Sequence, residues 1–137
     1  LAFPVNDLEA ARGFYAEALG AGVGREEPGA WIDFDLYGHQ ITAHLAPGEC
    51  RAAQTNPVDG DPVPVRHFGA ILAWDAWQAL GDRLKRRAAD FIIEPHVRFQ
   101  GQAGEQGTFF VRDPSGNALE FKTFRDDAMV FATKAEG

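Results

Sequence analysis

Glu120 is the residue whose chemistry does not match its surroundings. It stands between Leu119 and Phe121 in an apolar run near the end of the segment Gly107 to Phe124. Side chains alternate faces along a strand. If Leu119 and Phe121 face a core, Glu120 faces the other way, toward water or toward a second enclosed surface. His44 repeats the arrangement between Ala43 and Leu45, and His67 sits at the start of another apolar run. Two imidazoles and a carboxylate on rigid strands suit a borderline divalent ion, and such a set leaves coordination positions open for a substrate. A lone His or Glu on a strand face is ordinarily solvated. The set gains meaning only if the fold relates the three residues.

Other residues offer binding rather than chemistry. His96 and Arg98 lie in Glu94-Pro95-His96-Val97-Arg98-Phe99. His96 is a candidate substrate contact, and Arg98 could grip an anionic group through a bidentate contact. Trp31, Phe99 and Phe109 could line an apolar pocket, although strand aromatics more often fill cores. His39 falls in an expected turn and reads as solvated. Cys50 is the single cysteine, which excludes an intrachain disulfide. In its Gly/Pro loop it reads as an incidental thiol in a reducing compartment.

The elements that must position these groups follow from periodicity. Leu1 to Val5 reads as a strand. Asn6-Asp7 offers a helix N-cap. Leu8, Ala11, Phe14, Tyr15, Ala18 and Leu19 then form one apolar stripe, ended by Gly20 and Gly22. Trp31 to Tyr37 and Gln40 to Leu45 alternate as two strands around a turn at Gly38-His39. Residues 47–64 hold prolines and no apolar period, and read as a long inter-module loop. Val65 to Trp74 reads as a strand, Asp75 as an N-cap, Ala76 to Ala89 as a helix, and Phe91 to Phe99 as a strand. Gly107 to Phe124 has the chemistry of a β-hairpin around Asp113-Pro114-Ser115-Gly116-Asn117. Met129, Val130 and Phe131 are expected to pack as a short helix, and residues 134–137 to fray.

The chain is thus a repeat of one unit: strand, helix, then strands ending in a hairpin. The division is 1–46, a loop at 47–64, 65–124, and a tail at 125–137. Aligning the hairpins places His44 on Glu120. Aligning the first strands places His67 near the position just before Leu1, so residues are expected to precede Leu1. A pseudo-twofold relation between the copies would bring His44, His67 and Glu120 together as a metal site.

Composition bounds the reading. The 137 residues are 45% hydrophobic and 24% charged, enough for one well-buried core or two half-domains. A net charge of −7 argues against nucleic acid, which needs a basic face. Arg83-Leu84-Lys85-Arg86-Arg87 reads as a solvated helix face. No run of about 18 apolar residues predicts a membrane span, and no signal-peptide pattern is present. A cytoplasmic location is expected.

Together these features resemble the vicinal oxygen chelate superfamily, which groups glyoxalases, bleomycin- and fosfomycin-resistance proteins, and extradiol dioxygenases. The most specific piece is Asp113-Pro114-Ser115-Gly116-Asn117-Ala118-Leu119-Glu120-Phe121, similar to the family's closing signature. Arg66-His67-Phe68-Gly69 resembles the opening of its second module, and Asp7 through Phe14-Tyr15 its first helix. The resemblance implies an α+β fold of two tandem βαβββ modules. Their curled sheets would form an open cup, with the helices packed outside. It implies ligands on the first and last strands of each module: His67, Glu120 and His44, with a fourth expected immediately before Leu1. It also implies a divalent metal (Fe, Mn, Zn or Ni), a small oxygen-rich substrate and a homodimer.

The expected activity is that of a metal-dependent enzyme, dioxygenase-like or glyoxalase-like, the choice being open. Glu120 is a candidate base. His44 replaces the first-module carboxylate of glyoxalase I-like members, which argues against a straightforward glyoxalase I. It is a metal ligand or an acid–base group beside the metal. The alternative is a non-catalytic, ligand-sequestering protein of the bleomycin-resistance kind.

Overall fold

The computed structural model describes residues 1–134. In chain order the strands are β1 (Ala2–Val5), β2 (Gly22–Glu27), β3 (Trp31–Leu36), β4 (His39–Leu45), β5 (Thr55–Val58), β6 (Asp61–Pro64), β7 (Phe68–Ile71), β8 (Asp90–Arg98), β9 (Gln106–Arg112) and β10 (Ala118–Phe124). Helix α1 (Leu8–Arg12) continues into a π-helical segment, Gly13–Ala18, and α2 spans Trp74–Arg86. The fold is α+β and contains the βαβββ module twice. One sheet has the order β1-β4-β3-β2 and the other β7-β10-β9-β8. In each, the first strand runs parallel to the last.

The chain forms two compact units. The first comprises Leu1–His67 together with Arg112–Ala118; the second comprises Phe68–Val111 and the chain from Leu119 onward.

In the first unit, the Asp7 carboxylate accepts from the Ala10 amide at 3.0 Å and starts α1. The periodic stripe does not continue as one α-helix. The Leu19 amide donates to the Phe14 carbonyl five residues back, which widens the turn. Tyr15, on this wider turn, is fully buried against Phe3, Phe14 and Phe34, with ring centroids 4.9–5.3 Å away. Val5, Ile32, Phe34, Leu36, Ile41 and Ala43 complete the core face of the sheet.

The Asp113–Asn117 turn belongs to this unit and explains its own sequence. Asp113 Oδ1 accepts from the amides of Ser115 and Asn117 at 2.9 and 2.8 Å. Asp113 Oδ2 accepts from the Tyr15 hydroxyl and from Asn117 Nδ2, at 2.7 and 2.8 Å. Gly116 has φ +88°, which only glycine takes without strain. Asn117 Nδ2 also donates to the Pro4 carbonyl at 2.8 Å, and the Asn6 amide donates to Ser115 Oγ at 2.9 Å. The turn is therefore a fastener for the junction of β1 and α1. Burial, and then the Asp113 carboxylate, raise the Tyr15 phenol well above its ordinary pKa.

In the second unit, α2 buries Trp77, Leu80, Gly81 and Leu84. The Trp77 indole N–H donates to the Phe121 carbonyl at 2.9 Å. Its ring lies where a side chain on Gly107 would stand: an added Cβ would meet it at 2.7 Å. Phe109 packs between Trp77, Phe91 and Phe121. Asp75 in the first turn and Arg83, Lys85 and Arg86 in the last complement the helix dipole.

Several expectations are corrected. Gly22–Glu27 is a strand although every residue in it is exposed. It is an edge strand with a bulge between Val23 and Glu26, so no apolar face marks it. Residues 47–64 contain the hairpin β5–β6, closed by Asp59-Gly60 with both φ angles positive. That dipeptide is a strong hairpin signal, which the surrounding prolines obscured. The turn after β3 is Tyr37-Gly38, and His39 already pairs with Leu36. Asp75 is not the cap of α2: Ala73 is, without a side-chain bond. The strand expected from Val65 begins at Phe68. Asp127–Met129 form a 3₁₀ turn, but Phe131 is 94% exposed and does not pack. Of the residues expected to fray, 135–137 lie outside the described residues.

Candidate functional site

β10 carries Glu120 on the face opposite Leu119 and Phe121, both of which are fully buried. Glu120 itself is half-buried. Its Oε2 accepts from the Thr108 hydroxyl at 2.7 Å. Thr108 is 5% exposed, and its neighbours on that face of β9, Gln106 and Phe110, are buried as well. The face of this sheet turned away from α2 is therefore not open surface at β9. On the other side of Glu120, β7 presents Gly69 as the paired residue. A Cβ at Gly69 would overlap the Glu120 carbonyl oxygen, so the absence of a side chain there permits the two backbones to approach.

His67 immediately precedes β7 and is exposed. Its Nδ1 lies 2.7 Å from the Pro64 carbonyl oxygen, which can only accept. Nδ1 therefore carries the proton, and the lone pair of the neutral ring is on Nε2. A metal-binding imidazole is commonly oriented in this way. The carbonyl comes from the end of β6, part of the stretch expected to be a loop.

His44 lies on β4 between Pro4 of β1 and Trp31 of β3. It is exposed, and Trp31 is half-buried with the Arg25 guanidinium 5.7 Å above its ring. Two residues along the same face, Asp33 accepts from the Thr42 hydroxyl at 2.6 Å and from Gln40 Nε2 at 3.3 Å. The ladders also relate the two sheets. Two positions before the partner of Glu120 stands His67; two before the partner of His44 stands Ala2, so the counterpart of His67 is Ala2 and not, as expected, the position just before Leu1.

Among the described residues, no three His, Cys, Asp or Glu side chains are grouped so as to hold a metal ion. His44 and His67 belong to the first unit and Glu120 to the second. Taken one at a time, the donors suit a divalent ion. His67 has its tautomer fixed with Nε2 as the basic nitrogen, and Glu120 is an ordered carboxylate held by a neutral hydroxyl.

The expected substrate contacts divide. His96 and Arg98 are half-buried on β8, an edge strand. His96 Nδ1 lies 3.1 Å from the Glu94 carbonyl, and Arg98 stacks on Phe99 at 5.2 Å. Phe109 is corrected: it is fully buried in the core beneath α2, on the opposite face of β9 from Thr108. Cys50 donates weakly to the Ala46 carbonyl at 3.5 Å. Burial, with the charges of Asp113 and Glu49, raises its pKa, opposite to what a nucleophilic thiol needs.

The first unit also contains a cleft of about 430 Å³ that periodicity did not signal. Asp7, Glu9, Arg12, Glu26 and Glu27 line it, with Leu8 and Leu45 among its apolar walls. It includes none of the residues expected to act as ligands or acid–base groups.

Known proteins share this architecture. The family model for the glyoxalase/bleomycin resistance protein/dioxygenase superfamily matches residues 1–121. A solved glyoxalase/bleomycin resistance protein/dioxygenase from Alicyclobacillus acidocaldarius is 35% identical, with a TM-score of 0.78 over 96% of this chain and 93% of that one. A fosfomycin resistance protein, FosX, from Listeria monocytogenes is 12% identical at a TM-score of 0.72, over 95% and 94% of the two chains. A lactoylglutathione lyase from Agrobacterium tumefaciens is 19% identical at 0.61, over 90% of each. At those identities the last two show the fold alone. No curated protein matches the sequence significantly. The repeated βαβββ module, the family match over residues 1–121 and the 35% identical relative lead to one conclusion: the chain belongs to the glyoxalase/bleomycin resistance protein/dioxygenase superfamily.

Proposed function

We propose that this chain is a metal-dependent enzyme acting on a small, oxygen-rich substrate, with dioxygenase-like or lyase/isomerase-like chemistry. The observation that carries the reading is Glu120, a half-buried strand carboxylate ordered by a buried hydroxyl at 2.7 Å. Ordering a carboxylate inside a sheet costs desolvation that a purely structural position avoids with an apolar residue. His67, with its proton fixed on Nδ1, supports the same reading.

In this proposal Glu120, His67 and His44 are the ligands of Fe, Mn, Zn or Ni. When bound, the ion would supply Lewis acidity to adjacent substrate oxygens. Glu120 and His44 are the groups of this chain that would move protons, at a carboxylate oxygen and an imidazole nitrogen. Trp31, beside His44, would offer an apolar wall, and Arg98 and His96 polar contacts to an anionic substrate. A cytoplasmic homodimer belongs to the same proposal. Membership of the glyoxalase/bleomycin resistance protein/dioxygenase superfamily supports small-molecule chemistry without choosing the reaction.

Emission spectroscopy on protein purified without chelator tests this reading. It predicts about one equivalent of a transition metal per site, removable by chelator and restorable on titration. His67→Ala and Glu120→Ala should each abolish uptake. Less than about one tenth of an equivalent, with none gained on titration, overturns it.

One observation favours the second reading, a ligand-sequestering protein without catalysis. Ala2 stands at the ladder position that His67 occupies in the other sheet, so the first sheet has no donor there. That reading predicts ligand binding by chelator-treated protein with no turnover.

A further inference from the structure

We infer that Lys122 is an anion-binding residue that takes the carboxylate of a small organic acid at the open side of the second sheet. Lys122 lies outside the expected contact set, within the second unit, and this role needs no metal ion. It holds whether the chain is an enzyme or a sequestering protein. The hairpin fixes its place. The Arg125 amide donates to the Glu105 carbonyl at 3.0 Å, and the Asp113 amide to the Asn117 carbonyl at 2.8 Å. The same number of residues separates these two pairs on each strand, so β9 and β10 keep one register between them and Thr108 stands opposite Lys122. Lys122 therefore shares the face of Glu120 and Thr108, turned away from α2. It is half-buried, and its ammonium lies 5.3 Å from the centroid of the Phe124 ring. Among the described residues no carboxylate pairs with it, whereas Arg12 and Arg125 each meet one. A cation partly withdrawn from water loses hydration, and a phenyl face returns less than an anion would. Access comes from β7. Gly69 and Ile71, the partners of Glu120 and Lys122, are exposed, while Thr108 on the β9 side is buried. Gly69 has no side chain to obstruct an approach, and Ile71, 49% exposed, offers apolar surface beside the ammonium. The Glu120 carboxylate on the same face repels a second negative charge. The ligand that fits is a monoanion with a short apolar body.

The test titrates the chelator-treated, nitrogen-15-labelled full chain with sodium butyrate at constant ionic strength and follows the backbone amide shifts. Saturating shifts are expected at Gly69 to Ile71 and at Lys122 to Phe124, and none of them with 1-butanol, which has the same apolar body without the charge. Lys122→Met keeps an aliphatic stem over Phe124 and removes the ammonium. It should weaken butyrate binding by about ten-fold or more, the loss of one charge-assisted hydrogen bond. Lys122→Arg should retain binding, and Lys85→Met, which removes an exposed cation of α2, should leave it unchanged. If Lys122 serves only to cover Phe124, Lys122→Met binds butyrate as the starting protein does. That result overturns the inference, as would shifts clustered elsewhere, the same shifts with 1-butanol, or no shift at all. The amide spectrum also reports folding; should Lys122→Met not fold, Lys122→Gln makes the same comparison. None of these outcomes bears on the metal reading, which emission spectroscopy tests separately.

Discussion

The two sheets have the same strand order and opposite treatment of the face turned away from their helix. In the first, that face is polar and open: Gln40 and His44 are exposed, and Thr42 and Asp33 are half-buried and bonded to each other. In the second it is closed at β9, where Gln106, Thr108 and Phe110 are buried and Thr108 holds Glu120, and open at β7, where Gly69 and Ile71 are exposed. The partner of the central group differs in the same sense. Pro4 stands beside His44 with a full ring; Gly69 stands beside Glu120 with nothing. A repeated topology therefore does not repeat its tolerances. One module offers an accessible imidazole, and the other immobilises a carboxylate.

The sharpest break of this comparison is at the paired glycine. Gly69→Ala must push β7 from β10 and should cost about 3 kcal/mol, whereas Pro4→Ala should cost less than about 1 kcal/mol. Urea denaturation of both variants measures the difference; equal costs would show that the close approach at Gly69 is not needed.

Asp113→Asn comes next, at about 2 kcal/mol, because an amide nitrogen cannot accept from the donors that now converge on the carboxylate. Its partner Tyr15 adds a pH signature. The folded phenol keeps its proton above the ordinary tyrosine value, so above about pH 10 the unfolded chain loses a proton that the folded one retains. Stability should therefore fall by about 1.4 kcal/mol per pH unit there. The difference between wild type and Tyr15→Phe isolates this slope; parallel curves would exclude the linkage.

The smallest effects lie on the two far faces. Thr108→Val should destabilise by about 1 kcal/mol through the bond it removes. His44→Ala, on the open face, should stay within about 0.5 kcal/mol. Thermal melts that reversed this order would mean that the faces are not as different as their burial indicates.

The modules, the hairpin around Asp113 and the faces of Glu120 and His44 were legible because alternation and turn chemistry are local signals. What stayed hidden was non-local or unpatterned. Gly22–Glu27 has no apolar face to announce a strand, because an edge strand needs none. Thr108 gave no sign of its role, since nothing along β9 says which residue will reach Glu120. Phe109 was misplaced for a related reason: alternation gives two faces but does not say which one meets α2. The turn was legible as a turn but not as a fastener: the bonds of Asp113, Ser115 and Asn117 to Tyr15, Asn6 and Pro4 are non-local.

Those bonds set an order of events in synthesis. They join residues 98, 109 and 113 positions apart. The first unit thus cannot finish folding when residue 67 leaves the ribosome; it must wait until Asn117 has emerged. At about 5–20 residues per second, that leaves the nascent β1–α1 junction and the Tyr15 hydroxyl unfastened for a few seconds. The most recognisable motif of the sequence is therefore a late latch, and a chain released before it is made would be open to proteases at its beginning rather than at its end.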